Sequence, residues 1–161
     1  MTGIILMVVL GLATTEPIVN EAIINAPIAE VWKVWTTPEG MESWMVAKTD
    51  IDLRVGGLWR TSYSKTSNLD DDTSIHQSIL GFDPEHMFSF RTVKAPRNFP
   101  FPNAILKAWT VVYFEPAGDA RTKVTARMLG FTEDAESQRM RAFFETGNKT
   151  TLDNLVKKFA K

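Results

Sequence analysis

Few side chains in this sequence have the types and spacings that catalysis or metal binding requires. His76 and His86 are its only two histidines. Placed on neighbouring strands, two histidines could converge on a metal, but so small a ligand set holds a transition metal poorly. His86 stands beside Asp83-Pro84 and reads as an exposed turn residue, whereas His76 falls inside a strand pattern and stays a candidate polar group for a buried pocket. Cysteine is absent, which removes disulfides, thiolate nucleophiles and cysteine-based zinc sites together. The run Asp70-Asp71-Asp72 offers hard oxygens that suit calcium, yet it lacks the glycine and spaced glutamate of an EF-hand loop and reads as a solvated acidic loop. Asp50 and Asp52 share one strand face and read as surface residues beside a hairpin. No HExxH, Walker loop, GxGxxG or Gly-x-Ser-x-Gly elbow is present. Asn148-Lys149-Thr150 matches a glycosylation sequon, but it sits in a helical pattern. Neither a metal nor a cofactor is expected. For general acid–base chemistry the remaining candidates are Tyr63, His76 and Arg91.

The elements that position these residues follow from periodicity. Ile18, Ala22 and Ile24 alternate with polar neighbours up to Ala26-Pro27, which predicts a first strand. Pro27 opens a helix whose Ile28, Val31, Trp32 and Trp35 keep the 0, 3, 4, 7 spacing of one face. That helix must stop near Thr36-Thr37, because a residue before proline avoids the α region. Thr37 with Pro38 then starts a second short helix carrying Met41, Trp44 and Met45 on one face. Beyond it the period becomes two: Ile51 and Leu53, the turn Gly56-Gly57, then residues 58–63 predict a hairpin. An exposed loop over 64–73 leads to strands at about 74–82 and 86–93, and a long connection over 94–107 leads to strands at about 108–115 and 121–130. Strands met in sequence with turns between them favour an antiparallel meander. The chain closes with a long helix from Asp134 to about Ala160, with Met140, Phe144, Gly147, Thr151, Leu155 and Phe159 on one stripe. It is the only long element able to cover the apolar face of the sheet.

The chain has 161 residues, is 44% hydrophobic, and carries a net charge of −1 with Lys and Arg spread among Asp and Glu. This fits one globular domain over 16–161 and argues against nucleic-acid binding by phosphate neutralisation. The apolar run Ile4–Leu12 is too short to span a bilayer, so no transmembrane segment is expected. Residues 1–15 suit the core of a signal peptide, although the first basic residue is Lys33; the alternative is an apolar N-terminal tail. A signal would make the protein secreted or periplasmic, and a retained tail would make it cytoplasmic.

Ala26-Pro27-Ile28-Ala29-Glu30-Val31-Trp32, Thr37-Pro38-Glu39, Trp44, Asp52-Leu53-Arg54-Val55-Gly56-Gly57 and Glu115-Pro116 together resemble the activator-of-heat-shock-ATPase-like branch of the START-like (SRPBCC) superfamily over roughly 18–160. The resemblance implies an α+β helix-grip fold: a curved antiparallel sheet wrapped around the C-terminal helix, with two short helices after the first strand. It also implies an apolar cavity between sheet and helix, used across the superfamily for lipids, sterols, polyketides and other hydrophobic molecules. It does not fix an activity. The co-chaperone role in that branch belongs to a longer protein with a further N-terminal domain, which weakens its transfer here.

Given such a cavity, one parity of each strand faces it, and Trp59, Thr61 and Tyr63 suit the inward face better than Leu58, Arg60 and Ser62. Phe88 and Phe90 form one face of a later strand; the strand of Trp109, Val111 and Tyr113 is apolar on both sides and its orientation stays open. Met140, Phe143, Phe144 and Gly147 lie nearest the open end on the helix, and Gly147 leaves room in a bulky row. Trp32 and Trp35 are assigned to core, while Trp44, at the elbow between the short helices, is expected at the cavity mouth. The cavity candidates are thus Trp44, Trp59, Tyr63, His76, Phe88, Phe90, Trp109, Met140, Phe143, Phe144 and Gly147. Phe99-Pro100-Phe101-Pro102 reads either as a stiff lid or as a plug on the rim of the core. The leading functional expectation is binding of a small hydrophobic or lipid-like ligand. The alternatives are a cyclase- or dehydratase-type enzyme and a chaperone or partner-binding module; monomer and homodimer are both compatible.

Overall fold

The structure is a computed structural model and describes residues 14–160. The apolar N-terminal run, and with it most of the segment read as a signal-peptide core, lies outside the described residues. Seven strands form one antiparallel sheet: β1 (Ile18–Ile24), β2 (Lys48–Ile51), β3 (Leu58–Ser62), β4 (Ile75–Asp83), β5 (Met87–Lys94), β6 (Trp109–Pro116) and β7 (Thr122–Leu129), in the order β1-β7-β6-β5-β4-β3-β2. Consecutive strands from β2 to β7 are neighbours, as short connections favour. β1 instead closes the far edge against β7, with Ile18 opposite Met128 and Ile24 opposite Thr122. The chain therefore leaves one edge of the sheet and re-enters at the other. Helices α1 (Ile28–Thr36) and α2 (Pro38–Glu42) make that crossing, and α3 (Ala135–Lys158) covers the rest of the concave face.

Local chemistry sets the limits of these elements. Thr37 is extended (φ −119°, ψ 146°), as its place before Pro38 requires, so α1 ends there. The same Thr37 caps α2 by accepting the Gly40 amide at 3.1 Å. α2 is shorter than its apolar spacing predicts: it stops at Glu42, and Trp44 and Met45 sit in the turn that follows. The β2–β3 hairpin is likewise looser than the Gly56-Gly57 signal predicts, since Leu53 lies in the connecting loop. That loop turns back on β4, with Gly56 donating to the Ile79 carbonyl and Ile79 to the Gly57 carbonyl. At the start of α3, Asp134 accepts the Ser137 amide at 2.9 Å. The Gln138 side chain grips the Thr14 backbone through both its donor and its acceptor, at 2.9 and 3.2 Å. No helix among the described residues is long and apolar enough to cross a membrane.

The acidic residues noted in the sequence are engaged locally. Arg60 bridges Asp50 and Asp70 on the outer face of β3, Arg97 pairs with Asp72, and Asp71 accepts from the Thr73 amide and hydroxyl. Among the described residues no group of three metal-ligating side chains forms.

The α1–α2 elbow depends on a residue with no side chain. A Cβ on Gly40 would stand 2.5 Å from Val34 Cα and 2.7 Å from the Lys33 carbonyl, both backbone atoms that cannot move aside cheaply. Gly40→Ala is therefore expected to destabilise the protein by about 1–3 kcal/mol, the usual cost of overpacking. Urea denaturation measures this; a change below about 0.5 kcal/mol, the range of neutral surface substitutions, would show that the elbow is not close-packed.

Candidate functional site

The buried core is in two parts. One cluster joins α1, the middle of the sheet and the C-terminal half of α3 through Val31, Trp35, Phe88, Phe114, Leu152 and Leu155. The other joins β1, β7, the 99–108 connection and the N-terminal half of α3 through Ile18, Phe101, Ile105, Met128, Phe131 and Met140. Between them lies a cavity of about 320 Å3, with walls drawn from both clusters. Trp59 of β3, Ile75 and Gln77 of β4, and Phe90 and Thr92 of β5 supply one side of the sheet wall. Thr110 of β6 with Ala126 and Met128 of β7 continue it. On α3 the facing residues are Phe144, Gly147, Asn148, Thr151 and Leu152, successive members of one helical stripe. Nothing lies within 4 Å of a Cβ built on Gly147, so the helix itself leaves this space open. Phe99, Ile105 and Ala108 form the end wall. Phe99 packs edge-on against Phe101 and Phe143 and tilted against Phe144, at centroid distances of 5.6 to 6.3 Å. The Phe-Pro-Phe-Pro connection is thus wedged between sheet and helix, with Phe101 buried in the second cluster.

Seven of the eleven positions read as cavity candidates border this space: Trp59, Tyr63, Phe90, Trp109, Phe143, Phe144 and Gly147. Trp59 presents only its ring, because its indole N–H donates to Thr49 Oγ1 at 3.0 Å. Tyr63 is 75% exposed, yet desolvation pushes its phenol above the ordinary value. Tyr63 therefore stands at the open rim of the cavity and does not pack within it. The orientation of β6 is now settled: Thr110, Val112 and Phe114 face inward, while Trp109 and Tyr113 are largely exposed and Trp109 borders the cavity only from the strand end.

Four of the candidates lie elsewhere. Trp44 is not at the cavity, because its indole N–H is taken by the Val34 carbonyl at 3.1 Å and its ring packs on Trp35 at 5.0 Å. His76 stands between the inward-facing Ile75 and Gln77 and so has the outward parity of β4; its Nε2 bonds the Leu69 carbonyl at 2.8 Å and Ser74 Oγ at 3.1 Å, tying down the acidic loop. Phe88 and Met140 do face inward, but each is fully buried within one of the two clusters.

A family model described as "Activator of Hsp90 ATPase homolog 1-like protein" matches residues 25–160. The chain belongs to that family. The fold is similar to that of a Mesorhizobium loti protein (TM-score 0.69, 19% identity, 88% of this chain and 95% of that one). It is also similar to CalU16 from Micromonospora echinospora (0.65, 20%, 89% and 76%) and to the Aha1 protein of Colwellia psychrerythraea, solved as a dimer (0.67, 15%, 89% and 95%). No curated protein matches the sequence.

Within this Aha1-like fold, most of the smaller wall residues were not among the sequence candidates, and two of the residues missed carry polar groups. Trp35, assigned to core, is buried but borders the cavity, and Gln77 takes the inward place on β4 between Ile75 and Ile79. The signal for Gln77 was available as a lone polar residue on an otherwise apolar strand parity. Both carry a buried polar atom with no hydrogen-bond partner among the described residues, namely Trp35 Nε1 and Gln77 Oε1. The lining carries little charge. Arg91 borders the cavity, but it is exposed and by alternation stands on the face opposite to Phe90 and Thr92.

The end wall is pinned to α3 electrostatically. Glu136, in the first turn, accepts the Ala104 and Asn103 amides at 3.1 and 2.9 Å, and these bonds hold its carboxyl below the usual glutamate value. A lowered folded-state pKa means stabilisation that is complete above the unfolded value and is lost as pH falls through the folded one. Acidification below the usual glutamate range should therefore raise amide exchange at 103–108 before the sheet opens, and Glu136→Ala should have the same effect at neutral pH. Hydrogen exchange followed by NMR or mass spectrometry distinguishes this from uniform loosening, which would show that Glu136 does not pin the wall.

Proposed function

We propose that this Aha1-like domain binds a small hydrophobic molecule in the cavity between the sheet and α3. The observation that carries the reading is the division of the core. A domain of this size ordinarily closes its interior to crystal-like density, with few voids larger than a water molecule. Here about 320 Å3 is left open between two well-packed clusters, at the small end of the range for ligand pockets. At roughly 24 cal/mol per Å3, the scale on which engineered cavities destabilise proteins, this is several kcal/mol of packing not realised, reduced where the mouth is wet. The middle of α3 supports the same reading: Gly147 weakens the helix and leaves space that any larger residue would fill.

An acid–base enzyme would need titratable groups converging on the same space. His76 is committed to the Leu69 carbonyl, Arg91 points away, and Tyr63 stands at the rim, which leaves binding as the favoured function.

Gly147→Leu separates binding from stability. The substitution should raise stability by about 1 kcal/mol, since Gly is among the poorest helix residues, while placing a side chain in the cavity. Native mass spectrometry of protein purified from its own host should show a small-molecule adduct on the wild type that Gly147→Leu loses, and a hydrophobic fluorescent reporter should bind the variant at least tenfold more weakly. A wild type with neither adduct nor reporter binding would overturn the proposal.

A further inference from the structure

The cavity carries two polar groups for which the protein supplies no partner. Among the described residues only three buried side-chain polar atoms are unbonded: Asn20 Oδ1, Trp35 Nε1 and Gln77 Oε1. Asn20, on β1, is not part of the cavity wall; the other two are. Buried donors and acceptors in folded proteins are nearly always paired, and an unpaired one costs free energy. Two such groups on the walls of one cavity are more than packing requires.

Their neighbours show that the lack of partners is selective. Of the four indoles gathered around α1 and β3, Trp44 donates to the Val34 carbonyl, Trp59 donates to Thr49 Oγ1, and the part-buried Trp32 keeps its N–H open to solvent. Among the described residues Trp35 alone has a buried indole N–H with no partner; it packs between Trp44 and Phe114 and is only 4% exposed. Gln77 is flanked on its own strand face by Ile75 and Ile79, where an apolar residue would pack without cost. A half-turn of its carboxamide exchanges oxygen and nitrogen, so it can accept or donate. The donor comes from α1 and the carboxamide from β4; both unpaired atoms are closed to solvent in the free protein, so a ligand reaches them as the side chains around them shift.

Resting on the binding reading above, we infer that Trp35 Nε1–H and the Gln77 carboxamide are the polar recognition groups of the site, and that the ligand is an uncharged, mostly apolar molecule presenting a hydrogen-bond acceptor to Trp35 and a hydroxyl-like group to Gln77. An anionic ligand is disfavoured, because Arg91, the one cationic residue bordering the cavity, is exposed and stands by alternation on the face opposite to Phe90 and Thr92, so the desolvation of a carboxylate in the interior would go uncompensated.

Three probes of one shape test this by calorimetry on the full chain: β-naphthol, β-methylnaphthalene and β-naphthoate. The wild type should bind β-naphthol about tenfold more tightly than β-methylnaphthalene, the ratio expected from one net hydrogen bond, and β-naphthoate most weakly. In Trp35→Phe and in Gln77→Leu that preference should shrink while the affinity for β-methylnaphthalene is kept. Gln77→Leu should also leave the melting temperature of the free protein unchanged or higher, since it removes an unpaired buried amide oxygen. A preference below twofold in the wild type, its survival in both variants, tightest binding of the naphthoate, or a melting temperature several degrees lower in Gln77→Leu would each overturn the inference. Equal binding of naphthol and methylnaphthalene would leave the hydrophobic site standing, whereas no binding of any probe would remove that reading too.

Discussion

The arrangement of this molecule depends on one stripe of α3. Met140 at one end and Leu152 and Leu155 at the other are buried in separate clusters, while Phe144, Gly147, Asn148 and Thr151 lie between them. A curved antiparallel sheet can only be covered as completely as the helix across it allows. With small and polar residues in the middle turns, α3 holds the sheet at its two ends and leaves a gap at its centre. The ends are well packed because they carry the stability, and this allows the centre to remain open.

The crossing from β1 to β2 adds the second constraint. Because the two strands lie on opposite edges of the sheet, α1 and α2 must pass over the concave face, and they bring a cluster of tryptophans with them. Gly40 lets α2 close on the backbone of α1, and the Trp44 indole fastens the following turn to Val34. Trp35 is held in place by rings on both sides, so its orientation is fixed by packing and not by a hydrogen bond. The Trp35 N–H is closed to solvent in the free protein, so a ligand group reaches it only when the neighbouring side chains shift, and the fixed ring limits the ordering cost to those neighbours.

The fold was legible because its signals are local. Alternation marked the strands, the 0, 3, 4, 7 spacing marked α1, Thr37-Pro38 marked the break, and Asp134 marked the start of α3. The site was legible only where parity was unambiguous, as for Trp59 and Phe90. It failed at His76, which shares a strand with Gln77 but has the opposite parity, the inward places on β4 falling to Ile75, Gln77 and Ile79. It failed again among the tryptophans, since spacing tells which residues are buried but not which of them meet a void. Trp35 and Trp44 exchanged roles for that reason: their difference is the Val34 carbonyl, a tertiary partner absent from any periodic pattern. Whether Trp109 faced the sheet interior was likewise undetermined by a strand that is apolar on both sides.

Affinity and selectivity come from different parts of such a site. The apolar walls reward any molecule that displaces water from them, and a change of one methylene alters that reward by only about 1–3 kcal/mol. Buried polar groups are stricter, because a ligand that cannot satisfy them leaves their desolvation uncompensated. In the site as proposed, size is set by Gly147 and the two packed ends and polarity by Trp35 and Gln77, so different elements control the two. On that proposal, substitutions at Gln77 or its strand neighbours would change which molecule is accepted without disturbing the α3 contacts that hold the sheet.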